Sequence, residues 1–228
     1  MDRLALFDID CTLIDAHGVG GRALTEAIKS TFGVSGELDG YRFHGRTDPG
    51  IVADLARQWG AGADDVDKRM QECLDVYMVN LQRERVDGVV EVLPGVPELL
   101  AALHSDRRVV LGLLTGNMEE GARVKLGPTG LAPLFPVGAF GSDSAVRADL
   151  PQVAVARAEE LTGRRFAGKQ IVVIGDTPAD VTCGAALGVK AVAVATGSHS
   201  VEELTAHSPD HVFPDLSDWR AVYEAILG

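Results

Sequence analysis

The hydrophobic pattern begins with a short apolar run that ends in acidic residues. Residues 4–7 are Leu, Ala, Leu and Phe, and Asp8, Asp10 and Thr12 follow at every second position. An apolar run without polar alternation is typical of a strand that is buried on both faces of a parallel sheet. If the chain stays extended beyond Asp8, the two carboxylates and the hydroxyl point to the same side. The pattern therefore predicts a buried strand that ends in an acidic cluster.

The spacing of apolar residues becomes helical between about residues 15 and 85. Apolar side chains recur every three or four positions, which predicts three helices, over about 23–33, 48–60 and 63–85. Asp48, which precedes a proline, is the predicted N-cap of the second helix. Gly18, Gly20 and Gly21 predict a loose connection before the first helix. We interpret residues 15–85 as an inserted, all-helical domain.

The remaining chain alternates between strand and helix patterns. Strands are predicted over about 109–114, 137–140, 171–174, 189–195 and 211–213. Helices are predicted over about 94–103, 118–126, 149–161, 178–187 and 218–227. This alternation predicts an α/β fold, a doubly wound and mostly parallel sheet with right-handed crossovers. Residues 1–14 and 86–228 would form this core domain.

Small polar residues follow each of the strongest predicted strands. Asp8, Thr115, Asp176 and Thr196 stand at these four carboxyl ends. In open parallel sheets, ligands bind in the crevice outside the carboxyl ends of the strands. The sequence therefore predicts that these side chains meet in one crevice.

The residues predicted for this crevice suit phosphoryl transfer. Asp176 and Asp180 would join Asp8 and Asp10, and four carboxylates so close together repel one another unless a cation neutralises them. Mg²⁺ prefers oxygen ligands and is commonly held by carboxylates together with a substrate phosphate. The segment 115–117 adds a hydroxyl and backbone N–H groups at a helix start, where anions bind. Metal-binding carboxylates and anion-binding groups in one place indicate a phosphate substrate.

Composition and charge limit the class of partner. The 228 residues, 46% of them hydrophobic and 24% charged, are enough for a core and a smaller inserted domain. A net charge of −12 argues against nucleic acid and against an anionic membrane surface. A small phosphorylated metabolite remains compatible with this charge if a metal supplies positive charge locally.

The cysteines and the N-terminus suggest a cytoplasmic protein. The three cysteines are far apart and form no CxxC pair, so we expect reduced thiols and no zinc. The sequence has no signal-peptide pattern and no apolar run long enough to span a bilayer. It leaves the oligomeric state open between monomer and homodimer.

Three motifs together resemble the haloacid dehalogenase-like hydrolase superfamily. The segments 8–12, 115–117 and 175–180 are similar to motifs one, two and four of that family, in the same order and along nearly the whole chain. The inserted helical domain is similar to the cap of the phosphoglycolate phosphatase and β-phosphoglucomutase branch. The resemblance implies a Rossmann-like core with a helical cap.

The resemblance also implies roles for individual residues. Asp8 would attack phosphorus and form an aspartyl-phosphate, and Asp10 would act as general acid and then as general base. Asp8, the backbone carbonyl of Asp10 and Asp176 would hold Mg²⁺, and Asp180 would support that site from behind. Contacts with the substrate phosphate are implied for Thr12, Thr115, Gly116 and Asn117.

The third motif of the family, usually a lysine, departs from the expected pattern. The chain has no lysine between Lys125 and Lys169. Arg147 is the best substitute, since a guanidinium stays charged and can bind phosphate through two hydrogen bonds. The alternative is a solvated loop arginine. Lys125 is predicted to lie in the last turn of a helix, at an exposed helix end.

Arg46 and Thr47 are candidates for substrate contacts from the cap. They precede a predicted helix start, so the guanidinium and the helix N-terminus would add their positive potential. We expect Arg46, with Thr47, to contact the non-reacting end of the substrate, for example a carboxylate. The alternative is a surface arginine paired with Asp48 or Glu84.

Three functions remain open at this point. The first is a Mg²⁺-dependent phosphatase of a small phosphomonoester such as phosphoglycolate. The second is a phosphomutase of the β-phosphoglucomutase type, and the third is a catalytically silent binding protein on the same fold. The presence of Asp10 favours the phosphatases and phosphomutases, because haloacid dehalogenases and phosphonate-cleaving relatives lack this aspartate.

Overall fold

The computed structural model describes residues 1–84 and 89–228. Within them, the strands in chain order are β1 (Arg3–Phe7), β2 (Ile14–Asp15), β3 (Glu91–Val92), β4 (Val109–Leu114), β5 (Val137–Ala139), β6 (Ile171–Gly175), β7 (Lys190–Val194) and β8 (His211–Phe213). Six of these form a sheet in the order β5-β4-β1-β6-β7-β8, with every pair parallel. The predicted doubly wound parallel sheet is confirmed.

The helices of the described residues surround this sheet and build the cap. In chain order they are α1 (Val19–Phe32), α2 (Asp48–Gln58), α3 (Ala63–Arg83), α4 (Val96–Ser105), α5 (Glu119–Leu126), α6 (Leu150–Thr162), α7 (Pro178–Cys183), α8 (Val201–Thr205) and α9 (Trp219–Leu227). None of the helices within this described part of the chain combines the length and apolarity that a membrane crossing requires.

The central strand β1 explains why an uninterrupted apolar run is needed here. All five of its residues are buried. Ala5 and Phe7 pack into an apolar cluster on one face of the sheet, with residues of α4 and α9. Leu4 and Leu6 pack on the opposite face, with residues of α6. Alternate side chains of a strand point to opposite faces, so a strand covered by helices on both sides must be apolar at every position.

The helices α1, α2 and α3 form a cap with an apolar core of its own. Leu24, Ile28, Leu55, Tyr77 and Leu81 are among its fully buried members. The chain enters and leaves the cap through the short antiparallel pair β2–β3, in which Ile14 is opposite Val92. The predicted boundary at residues 85 and 86 lies outside the described residues, and the limits of the two domains remain a prediction.

Two predictions about helix starts in the cap are wrong. Helix α1 begins at Val19 and includes Gly20 and Gly21 in its first turn, where a loose connection was expected. The N-cap of α2 is Thr47, whose hydroxyl accepts a hydrogen bond of 3.1 Å from the N–H of Gly50. Asp48 is the first helical residue and is buried. Asp is slightly preferred over Thr at an N-cap, but Asp48 instead contacts Met118 and Gly116 of the core.

The chain does not stay extended after Asp8. The N–H groups of Thr12 and Leu13 donate to the carbonyl of Ile9, which closes a tight turn. Cys11 lies within it with φ 58, in the left-handed region. Asp8 and Asp10 therefore do not point to one side in the manner of a strand, and their carboxylates meet different partners. The short elements β2, β3 and α8 were not predicted, since strands of two residues and a helix of five carry too little periodicity.

Candidate active site

Three strand ends converge on one crevice. Asp8 follows β1, Thr115 follows β4 and Asp176 follows β6. Because β1 lies between β4 and β6 in a parallel sheet, the three residues come together at the carboxyl ends of adjacent strands. A cavity of about 530 Å³ opens there between core and cap, and Asp8, Asp10, Thr115, Asn117 and Arg147 are among the residues that line it.

Asp8, Asp176 and Asp180 form a buried acidic cluster. Each contributes a carboxylate oxygen, and these three atoms all lie within 4.8 Å of one another. Burial and the charges of Asp180 and Asp8 raise the pKa of Asp176 to about 9. Burial, against the opposing charge of Arg147, raises the pKa of Asp8 to about 7, and the nearby aspartates add to this increase. The protein places the three carboxylates where a cation would stabilise their ionised forms.

One carboxylate oxygen of Asp176 is suited to bind a metal ion. Its Oδ2 atom is buried and has no hydrogen-bond partner among the described residues. Its Oδ1 atom accepts a weak hydrogen bond of 3.4 Å from the hydroxyl of Thr12, which is fully buried. A buried carboxylate oxygen without a donor is costly unless a cation approaches it. Carboxylate oxygens from Asp8 and Asp176 are the ligand type that Mg²⁺ prefers.

A second set of ligand atoms is less suitable for a metal. Atoms of Cys11, His44 and Asp176 also lie within 4.8 Å of one another. Burial and the surrounding carboxylates raise the pKa of the Cys11 thiol to about 12, which keeps it protonated near neutral pH. A protonated thiol is a poor metal ligand, so the oxygen set is the better cation site.

Arg147 lies in the acidic cluster and is not a solvated loop residue. It is buried in the short turn before α6, and its Nη2 atom donates to Asp180 Oδ1 and lies 3.4 Å from Asp8 Oδ2. The N–H of Thr177 and its hydroxyl also donate to Asp180 Oδ2, at 3.0 and 2.6 Å. Both oxygens of Asp180 are therefore engaged by the protein, which suits a supporting position behind the metal better than direct coordination.

Asp10 points away from the acidic cluster. Its carboxylate accepts a hydrogen bond of 2.7 Å from Nδ2 of Asn117 and two from Nζ of Lys125, at 2.9 and 2.7 Å. Burial opposes ionisation of Asp10, but the charge and hydrogen bonds of Lys125 outweigh it and lower the pKa of Asp10. The acidic residues of the crevice thus fall into two groups, one around Arg147 and one around Lys125.

The prediction that Lys125 lies at an exposed helix end is wrong. Lys125 is in the last turn of α5, as expected, but it is only 4% exposed. Gly121, Ala122 and Leu126 are the other buried residues of this helix and share its inner face. This i, i+4 relationship between Gly121 and Lys125 could have placed the lysine on the buried face. Nothing in the sequence shows that the cap covers this face.

The segment from Thr115 to Asn117, for which contacts with the substrate phosphate are predicted, lies beside the cap. Thr115 is fully buried, and its hydroxyl accepts from the N–H and the amide of Asn117, at 3.3 and 2.7 Å. The carbonyl of Gly116 accepts from the N–H of Asp48 at 2.8 Å. A Cβ on Gly116 would lie 1.8 Å from the carbonyl oxygen of Arg46, so only glycine permits this close approach of cap and core.

The cap residues Thr47 and Arg46 have partners within the protein. Thr47 is buried and donates to the carbonyl of Ala145 at 2.7 Å. The half-exposed guanidinium of Arg46 pairs with Asp54 and lies 5.1 Å from the centre of the Tyr41 ring. The predicted alternative pairing with Asp48 or Glu84 is wrong. A contact of Arg46 with substrate stays a prediction, and Arg46 does line the cavity.

Comparison with known proteins identifies the class. The fold and the acidic crevice define a doubly wound α/β protein with a helical cap over the carboxyl ends of its strands. A family model described as haloacid dehalogenase-like hydrolase matches residues 3–188, and the chain therefore belongs to this family. The predicted family is confirmed.

Similar proteins agree with this assignment. The phosphoglycolate phosphatase of Rhodospirillum rubrum is 31% identical over 230 residues, covering 96% of this chain and 91% of the relative. The pyrophosphatase PpaX of Bacillus pumilus is 27% identical over 226 residues, covering 96% of this chain and 95% of the relative. The crystal structure of CbbY from Rhodobacter sphaeroides in complex with phosphate has a TM-score of 0.75 at 16% identity and covers 96% of both chains. The prediction of a phosphatase of this family is confirmed.

Proposed function

We propose that the protein is a Mg²⁺-dependent phosphatase that hydrolyses a small phosphomonoester through an aspartyl-phosphate on Asp8. The observation that carries this proposal is the position of Asp8. Its carboxylate lies at the base of the cavity, within 4.8 Å of the Asp176 and Asp180 oxygens and 3.4 Å from Arg147. A carboxylate between a cation site and a permanent positive charge can remain ionised and attack phosphorus.

The two carboxylates at the end of β1 can divide the chemistry between them. In the first step, an oxygen of Asp8 bonds to phosphorus while the bond from phosphorus to the leaving oxygen breaks, and Asp10 gives a proton to that oxygen. In the second step, a water oxygen attacks phosphorus, Asp10 accepts the proton of the water, and Asp8 is released with inorganic phosphate. Asp8 and Asp10 contact different cations, Arg147 and Lys125, so the two carboxylates can take different roles. Lys125 lowers the pKa of Asp10 in the free protein, and the negative charge of a bound phosphate would raise it again, so that Asp10 can hold the proton that it gives to the leaving oxygen.

The remaining residues would hold the phosphoryl group and the metal. Thr115, Gly116 and Asn117 line the cavity just before the start of α5, where an anion is favoured. Asp8 and Asp176 would hold Mg²⁺ together with the carbonyl of Asp10, and Asp180 would fix Arg147 behind them. The metal would neutralise phosphoryl oxygens and stabilise the charge that develops in the transition state.

Phosphoglycolate is the first substrate to test. The similarity to a phosphoglycolate phosphatase over almost the whole chain supports a small phosphorylated acid. Residues of both the cap and the core line the cavity, and burial of the reacting groups would limit the access of bulk water to Asp8 during the first step. A small phosphorylated metabolite is thus the proposed partner, and the cytoplasm is the proposed location.

The test is turnover of a panel of phosphomonoesters with and without Mg²⁺. We expect phosphate release by wild-type protein with Mg²⁺, and a loss of at least about 10³-fold in kcat for Asp8→Asn, which removes the nucleophile. Asp64→Asn, on the exposed side of the cap, is the matched control and should keep wild-type turnover. Equal turnover by wild type and Asp8→Asn would contradict the proposal.

The same assay separates a phosphatase from a phosphomutase. A phosphatase releases inorganic phosphate from a monoester at a steady rate. A phosphomutase instead depends on a bisphosphate activator and converts one sugar phosphate into another. Isomerisation of a sugar phosphate without net phosphate release would therefore favour the mutase over the phosphatase.

A further inference from the structure

The ammonium group of Lys125 uses all of its hydrogen-bond donors inside the protein. It donates to both carboxylate oxygens of Asp10, at 2.9 and 2.7 Å, and to Oδ1 of Asn117 at 2.6 Å. A lysine ammonium has three donors, so three short contacts fix its orientation. Its side chain is 5% exposed, whereas that of Asp10 is 27% exposed and reaches the cavity.

Asn117 completes a closed arrangement around Asp10. Its Nδ2 atom donates to Asp10 Oδ2 and to the hydroxyl of Thr115, both at 2.7 Å. Since Lys125 binds the amide oxygen of Asn117, the amide nitrogen must face Asp10 and Thr115. One lysine thus sets the orientation of the carboxylate proposed as general acid and of an amide in the anion-binding loop.

The cap forms the wall behind this ammonium group. A Cβ placed on Gly20 of α1 would lie 2.9 Å from Nζ of Lys125 and 3.5 Å from the hydroxyl of Tyr77 in α3. Tyr77, like Lys125, is buried and lies at this wall of the cavity. Charge-assisted hydrogen bonds in such surroundings hold their partners firmly, and removal of one partner leaves the other uncompensated.

We propose that Lys125 is a positioning residue that holds the Asp10 carboxylate in line with the leaving oxygen of the substrate. This inference rests on the proposed function, in which Asp10 transfers a proton to that oxygen as its bond to phosphorus breaks. Gly20 contributes to this arrangement, because the absence of a Cβ leaves space for the ammonium group of Lys125 to reach Asp10. Lys125 itself transfers no proton and is distinct from Arg147, which faces Asp8.

The test compares two leaving groups in the Mg²⁺-loaded enzyme. Ethyl phosphate releases an alkoxide that needs a proton, whereas 4-nitrophenyl phosphate releases a phenolate that is stable without one. A positioned general acid contributes about 10² to 10⁴-fold, so Lys125→Met should lower kcat/KM for ethyl phosphate by at least about 100-fold. For 4-nitrophenyl phosphate we expect a loss of less than about 10-fold, because the phenolate leaves without Asp10. Arg123→Met, on the exposed face of the same helix, is the control and should change neither value.

Gly20→Ala perturbs the same ammonium group without removing its charge. Alanine suits the helix, and its Cβ would push Nζ away from Asp10. This variant should lose activity selectively with ethyl phosphate, by about 10-fold. If circular dichroism shows that Lys125→Met does not fold, Gly20→Ala alone tests the positioning role of Lys125.

An Asp10→Asn background gives a second readout. If Lys125 acts through Asp10, Lys125→Met should cause no further loss with ethyl phosphate once Asp10 has been replaced. An equal loss with both esters in folded variants, or no loss with either, would overturn the role of Lys125 and leave the phosphatase proposal intact. Wild-type enzyme that releases phosphate from neither ester nor from any other member of the phosphomonoester panel would overturn both.

Discussion

Nη2 of Arg147 lies 3.4 Å from Oδ2 of Asp8, and both side chains are buried. The same guanidinium binds Asp180, so one permanent charge contacts two aspartates, Asp8 after β1 and Asp180 in the first turn of α7. This charge lowers the pKa of Asp8 against the larger effect of burial, which raises it. Burial lowers the pKa of Arg147, but the charges of Asp180 and Asp8 outweigh this effect and raise it. The ion pair therefore favours an ionised Asp8.

Arg147→Met should impair both catalysis and stability. Removal of a buried partner leaves the aspartates uncompensated, which costs about 3–5 kcal/mol in buried ion pairs. We expect kcat to fall by about 10² to 10³-fold, the range for loss of one group that stabilises transition-state charge. Phosphatase assays and urea unfolding at pH 7.5 measure the two effects.

Arg147→Lys and Arg165→Met provide the comparison. Lysine keeps the charge but cannot reach two carboxylates in the planar geometry of a guanidinium, so Arg147→Lys should lie between wild type and Arg147→Met. Arg165 is 92% exposed and pairs with Glu159, so its replacement should change neither quantity. Wild-type kcat for Arg147→Met would contradict a role for Arg147 at the site.

The residues at the strand ends could be predicted from the sequence because the pattern that indicates them is local. An apolar run followed by Asp8, Thr115 or Asp176 indicates both the strand and its carboxyl end. Parallel topology then brings these positions together without any knowledge of side-chain packing. Arg147 could be predicted for a different reason, because the absence of lysine between Lys125 and Lys169 left few cationic residues for the third motif.

Lys125 and Asp48 were misplaced because their partners come from distant parts of the chain. The burial of Lys125 depends on Gly20 and Tyr77 of the cap, which approach α5 only in the folded protein. Asp48 accepts a hydrogen bond of 2.8 Å from the N–H of Met118, 70 positions away, although its sequence context is that of a helix N-cap. Propensity describes a residue's immediate neighbours, and the interface between cap and core overrides it.

Gly116 is expected to be essential for the contact between cap and core. A Cβ at this position would lie 1.8 Å from the carbonyl oxygen of Arg46 and 2.9 Å from Cα of Thr47. Gly116→Ala must therefore displace the cap loop, and kcat/KM should fall by at least about 10²-fold, as a misplacement of about 1 Å can cause. The measurement is steady-state hydrolysis of the best substrate of the panel.

Gly62→Ala is the matched control for this substitution. Gly62 has φ −67 and ψ 142 before α3, and a Cβ there would have no heavy atom within 4 Å. Alanine should be tolerated at this position with unchanged kcat/KM. If Gly116→Ala were as active as Gly62→Ala, the cap loop could not be in close contact with Gly116 during turnover.

Mg²⁺ should stabilise the protein through Asp8 and Asp176. Without a metal, the pKa of Asp176 is about 9 and that of Asp8 is about 7, both raised first by burial. Metal binding requires the ionised carboxylates, so it should release protons, and Mg²⁺ affinity should increase as the pH rises from 6 to 9. We expect Tm to increase with Mg²⁺ concentration at pH 7.5 and the increase to vanish in excess EDTA.

Asp176→Asn tests where this stabilisation arises. The variant lacks a ligand charge and should show little increase in Tm with Mg²⁺, while the exposed Asp64→Asn should respond as wild type does. Titration calorimetry in two buffers of different ionisation enthalpy would count the protons released. An equal increase in Tm for wild type and Asp176→Asn would exclude Asp176 as a ligand.

Asp48 should lower the free energy of unfolding as the pH rises. An ordinary ion-paired carboxylate has the opposite effect. Burial raises its pKa from 3.8 to about 6, more than Lys125 and the N–H of Met118 lower it. Between pH 4 and 6 the folded protein keeps a proton that the unfolded chain has lost, so this group lowers the free energy of unfolding as the pH rises. Above pH 6 the cost is complete, at about 3 kcal/mol.

Asp48→Asn removes this titration and keeps an oxygen that can accept from Met118. Its free energy of unfolding, relative to wild type, should therefore increase from pH 4 to pH 7 by up to about 3 kcal/mol. Urea unfolding of both proteins at pH 4.5, 5.5 and 7.5 measures this difference directly. Other titrating groups are common to both proteins and cancel in the comparison, and Asp64→Asn gives the baseline for an exposed carboxylate. The free energy of unfolding of Asp48→Asn relative to wild type could instead stay constant or decrease as the pH rises. Either result would mean that ionisation of Asp48 does not destabilise the interface between cap and core.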